Sequence, residues 1–117
     1  MIGRLGLVLA IGITGTLAAA EESPYIRLYG QRVVLAKADV KRQEAETKFQ
    51  AAHLGRIRQL VSKGAASREE YDRALADHDK SVAQEEVYRA KVGEEEATLD
   101  VVKMLVQTSQ PVPLCRP

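Results

Sequence analysis

The chain has 117 residues, enough for one small domain, with 45% hydrophobic, 28% charged and only 4% aromatic residues and no Trp. So few aromatics exclude a broad globular core, and the abundance of Ala, Glu, Lys, Arg and Val suits long exposed helices with a narrow apolar seam. The formal net charge is +1; charges of both signs alternate along the sequence, which gives no electrostatic ground for a nucleic-acid partner.

Residues 1–20 read as an export signal. Arg4 supplies the positive start, Leu5 to Leu17 carries no charge, and Ala18-Ala19-Ala20 before Glu21 matches a small-residue cleavage site. The alternative is a membrane anchor that stays attached, since the apolar stretch is about as short as a spanning helix can be. Either form exports the rest of the chain. Removing this segment takes away Arg4 alone and leaves 17 − 1 = 16 basic against 16 acidic residues.

Residues 21–30 form a connector. Within it Ser23-Pro24 is a helix start, with Ser as cap and Pro at the first helical position. Gly30 weakens the first turns, so the firm helix is expected from Gln31. No Pro then interrupts the chain until Pro111, and residues 31–107 are predicted to be an all-α, long antiparallel two-helix coiled-coil hairpin.

The first helix runs to about Ser62. Its predicted seam is Val34, Ala38, Ala45, Phe49, Ala52 and Leu60, with Ile57 beside it. Lys41 and Arg56 interrupt this seam and lay their stems along it. The turn is predicted at residues 63–67. Gly64 is placed to adopt the left-handed conformation that ends a helix. Ser67 and Glu70 have the spacing of a capping box that opens the second helix. So short a connection makes the helices antiparallel neighbours.

The second helix runs from Arg68 to about Gln107. Its predicted seam is Tyr71, Leu75, His78, Val82, Tyr88, Val92, Leu99, Val102 and Leu105, broken by Glu85 and Glu95. A single two-helix seam buries little area, so self-association is expected, covering more of Val33, Leu35 and Tyr88. Residues 108–117 form a Pro-rich tail in which Pro111, Pro113 and Pro117 rule out helix. It carries Cys115, the only thiol, which stays free or pairs between chains.

The residues point away from enzyme chemistry. His53 and His78 are the only histidines; they lie on opposite sides of the turn at similar offsets, and no Cys or clustered carboxylate joins them as metal ligands. No glycine-rich phosphate loop and no nucleophile–base pair is present. No cofactor and no metal is expected, and the chain reads as a non-enzymatic interaction protein.

The segment from Arg56 to Ala74, RIRQLVSKGAASREEYDRA, resembles the hairpin tip of the periplasmic adaptor proteins, also called membrane fusion proteins, of efflux pumps and type I secretion systems. The family's tip motif of Arg, Leu and Ser falls on Arg56, Leu60 and Ser67, and Glu70-Tyr71-Asp72 and Ala74 resemble the start of the family's second hairpin helix. The resemblance runs over roughly residues 34–107. It implies that Arg56, Leu60 and Ser67 bind a TolC-like outer-membrane channel, while Gly64, Ser67 and Glu70 build the turn. It also implies a place in the periplasm of a Gram-negative bacterium. The departure is large, because the family's lipoyl, β-barrel and membrane-proximal domains have no counterpart in these residues. Two other readings stand beside it. One is a small accessory or scaffold subunit of an inner-membrane complex, anchored through residues 1–20. The other is a periplasmic coiled-coil chaperone.

Overall fold

The structure, a computed structural model, describes Ser23 to Thr108. The export segment of residues 1–20 and the Pro-rich tail with Cys115 lie outside the described residues. What is described is an all-α antiparallel hairpin of two helices, α1 (Pro24–Ser62) and α2 (Arg68–Gln107), with no strand among these residues. At a rise of ~1.5 Å per residue each helix is about 60 Å long.

The helix ends follow from local chemistry. Pro24 occupies the first helical position, where its missing N–H is not needed. The helix begins there rather than at Gln31, because Tyr29 and Val33 on either side of Gly30 are buried in the hairpin and this packing offsets the glycine's cost. Ser23 precedes the helix but makes no side-chain cap hydrogen bond; the expected cap is positional only, with the Ser23 carbonyl accepting from Arg27 N–H at 3.1 Å. At the other end Gly64 adopts φ 71°. Ala65 N–H then reaches back to Leu60 O at 2.8 Å and Gly64 N–H to Val61 O at 3.0 Å, the paired bonds of a Schellman ending.

The helices meet along a strict heptad stripe. On α1 the inward residues are Tyr29, Val33, Ala36, Val40, Gln43, Thr47, Gln50, Leu54, Ile57 and Val61, alternately four and three apart, and each is buried or half-buried. On α2 the matching stripe is Tyr71, Ala74, His78, Ser81, Glu85, Tyr88, Val92, Glu95, Leu99, Val102 and Val106. This is the repeat of a coiled coil.

The predicted seam of the first helix is corrected by this register. Val34, Ala38, Ala45, Ala52 and the basic residues Lys41 and Arg56 are exposed, and so are Phe49 at 57% and Leu60 at 40%; only Ile57 lies on the inward stripe. The reason is a polar middle. Gln43, Thr47 and Gln50 hold three successive inward positions, so in the middle of α1 the apolar period is interrupted on the true face while Ala45, Phe49 and Ala52 continue it on the outer one. The second seam holds at Tyr71, His78, Tyr88, Val92, Leu99 and Val102; Val82 is 36% exposed, Leu75 and Leu105 lie half-buried beside the stripe, and Ala74, Ser81 and Val106 take the inward places. Glu85 and Glu95 sit on the stripe, half-buried, rather than breaking it. Val33, expected to need a second copy for burial, is already buried against α2's side of the hairpin.

The polar middle is satisfied across the hairpin. Gln43 Nε2 donates to Ser81 Oγ at 3.0 Å and to Ser81 O at 3.2 Å. Thr47 Oγ1 lies 3.2 Å from Ser81 Oγ. Beside this layer two inter-helix ion pairs, Lys37–Glu96 at 2.7 Å and Glu44–Arg89 at 2.6 Å, run along one flank of the seam.

Candidate interaction site at the hairpin tip

The tip is closed by hydrogen bonds from both helices. The Schellman ending of α1 and the capped start of α2 enclose residues 63–67 in a fixed turn. Ser67 Oγ accepts from Glu70 N–H at 3.1 Å, and Glu70 Oε2 accepts from Ser67 N–H at 2.7 Å. This reciprocal pair satisfies two of the N–H groups that a helix start leaves open. Gly64, Ser67 and Glu70 therefore hold the structural positions expected of them.

Arg56, Leu60 and Ser67 all come to this end of the rod, and all are exposed. Arg56 and Leu60 lie four residues apart on α1, hence on one side of the helix. Ser67 spends its acceptor capacity on the cap, while its hydroxyl proton stays available to a partner acceptor. Ser62 Oγ, by contrast, turns back to Gln59 O at 2.6 Å.

The charge at this end was missed by motif reading alone. From Thr47 to Arg68 the chain carries Lys48, Arg56, Arg58, Lys63 and Arg68 and no acidic residue. None of the five takes part in an ion pair. Arg58 and Arg68 flank a shallow, mostly apolar groove of about 240 Å³ whose other walls are Val61 and Tyr71. A signal for it was present in the sequence, namely the acid-free run, though alternation of charge elsewhere obscures it.

The two histidines each make a contact on their own helix. The His53 ring stacks on Phe49 with centroids 6.5 Å apart, and His78 Nδ1 lies 3.3 Å from Asp79 Oδ1, so each is engaged on its own helix. Among the described residues no group of three or more His, Cys, Asp or Glu side chains is placed to hold a metal ion. The grooves are open and shallow; the one beside the polar layer, about 360 Å³, is lined by Gln43, Glu46, Gln50, Asp77, Lys80, Ser81 and Gln84. Among the described residues no helix is long and apolar enough to cross a membrane.

No protein-family model, curated protein or solved structure matches this chain.

Proposed function

We propose that the chain is a non-enzymatic interaction protein of the bacterial periplasm, which docks by its hairpin tip on the helical end of a TolC-like outer-membrane channel. The observation that carries this reading is the tip itself: a turn rigid on both sides, bearing unpaired Arg56, Arg58, Lys63 and Arg68 and the exposed side chain of Leu60. A rigid turn loses little entropy on binding, so its contacts are used for affinity. Guanidinium groups suit carboxylates and carbonyl oxygens at the ends of partner helices, Leu60 supplies apolar contact, and the Ser67 hydroxyl donates one hydrogen bond. The resemblance of residues 56–74 to the adaptor tip names the class of partner.

A photo-crosslinker at the exposed Ala65, in cells of the native host, tests it. Capture of a TolC-like channel, lost on Arg56→Asp with helicity unchanged, is the expected result. Capture confined to inner-membrane proteins, or binding indifferent to Arg56→Asp, rejects tip docking and favours an accessory subunit of an inner-membrane complex.

A further inference from the structure

The heptad register leaves a second apolar stripe on the outward face of each helix. On α1, Leu28, Leu35 and Phe49 alternate with Ala38, Ala45 and Ala52, and all six are exposed, Leu35 to 65%. On α2 the outward stripe carries Val87, Val101 and Met104, with one exposed alanine per heptad from Ala76 to Ala97. A two-stranded coil turns these positions to water and ordinarily fills them with polar residues.

The charges around the two stripes differ in sign. The α1 face carries Lys41, Arg42, Lys48 and Arg56, with Asp39 and Glu46 along one border. The α2 face carries Asp72, Asp79, Glu86, Glu94 and Asp100 against Arg73 and Lys80, a surplus of 5 − 2 = 3 negative charges. Arg42 pairs with Asp39 and Asp79 with His78, both at 3.3 Å. One side of the hairpin is thus apolar and basic, the other apolar and acidic.

We propose that these faces bind each other between copies of the chain, with the outer face of α1 on one copy packed against the outer face of α2 on the next. With tips at the same end, the internal register carries over. Thr47 stands opposite Ser81 inside the hairpin, so between copies Arg42 comes level with Glu86. Alanines on each stripe leave room for the larger side chains of the other. The contact is heterologous, so each copy keeps a free face and association propagates beyond a dimer. Opposite charges around an apolar strip set both partner and orientation.

The test uses the full chain in mild detergent with Cys115→Ser, one population carrying Ala45→Cys and a second, of different mass, carrying Ala83→Cys. On oxidation the mixed 45–83 disulfide is expected to dominate over 45–45 and 83–83. By sedimentation the unlabelled chain is expected to form oligomers larger than a dimer. Arg42→Glu weakens association by at least about tenfold, and adding Glu86→Arg restores it. Circular dichroism of each variant separates loss of association from loss of helix. Dominant 45–45 or 83–83 products would overturn the heterologous contact. A chain that stays monomeric at the highest attainable concentration would overturn self-association and assign the faces to a different protein.

Discussion

Glu85 shows how one side chain can belong to the seam and to the charged flank at once. It holds an inward position of α2, and its Oε1 accepts from Arg89 Nη2 at 2.8 Å and from Arg89 Nε at 3.2 Å. The same guanidinium reaches Glu44 on α1 at 2.6 Å. The hydrogen bond from Arg89 holds the Glu85 carboxyl below its ordinary value of 4.5, and the Thr47 hydroxyl adds to the effect. A carboxyl with a lowered folded value contributes stability that is fully present above the unfolded value and is lost as pH falls through the folded one. The hairpin should therefore weaken on acidification from about pH 4.5 downward. Glu85→Gln is expected to melt below the native chain at pH 7, and the gap is expected to narrow on acidification as the native carboxyl takes up its proton. A thermal-melt difference that is the same at the two pH values would exclude this role for Glu85.

At the scale of the helices, what the sequence disclosed depended on how the signal was written. The turn was legible because Gly64, Ser67 and Glu70 are chemically specific at their spacing, and the structure shows their bonds. The second seam was largely legible, because its outward stripe is mostly Ala and charged residues and competes weakly. The first was not: Gln43, Thr47 and Gln50 interrupt the inward period in the middle of α1, where Ala45, Phe49 and Ala52 continue an outward one beside Leu28 and Leu35. Two apolar stripes then compete on α1, and the partner helix decides between them. For the tip, the Arg56, Leu60 and Ser67 pattern gave positions, but the charge field of Arg58 and Arg68 around a groove required the fold. Because Ser67 is a cap as well as a candidate contact, its two roles need separation. Ser67→Ala removes the side-chain acceptor and should cost about 1 kcal/mol of stability. Ser67→Asp keeps an acceptor at the cap and should cost little. Denaturant midpoints read the difference; equal losses for the two variants would mean the cap is not what Ser67 contributes.

At the scale of the whole molecule, the polar middle raises the question of what fixes the register. In a coiled coil of separate strands, a buried polar layer often does so at some cost in stability. Here the strands are joined by the turn at residues 63–67, closed by the bonds of Ala65 and Ser67. Along one flank Lys37–Glu96 and Glu44–Arg89 repeat the same alignment. Register is thus set at the tip and repeated along the shaft, which makes the Gln43–Thr47–Ser81 layer redundant for alignment. Replacing hydrogen-bonding partners together by apolar groups is neutral to stabilising, whereas removing one strands the others. The triple variant Gln43→Leu, Thr47→Val, Ser81→Ala is therefore expected to melt higher than the native chain. A gain of about 1 kcal/mol would correspond to roughly 4–8 °C for a domain of this size. Ser81→Ala alone is expected to melt lower, because Gln43 and Thr47 lose the Ser81 hydroxyl and keep only its backbone carbonyl. Spin labels at Lys41 and Val87 report the alignment directly. An unchanged distance in the triple variant places register in the turn. A shift by one heptad, about 10 Å along the axis, would show that the polar layer holds the helices in step, with the turn following.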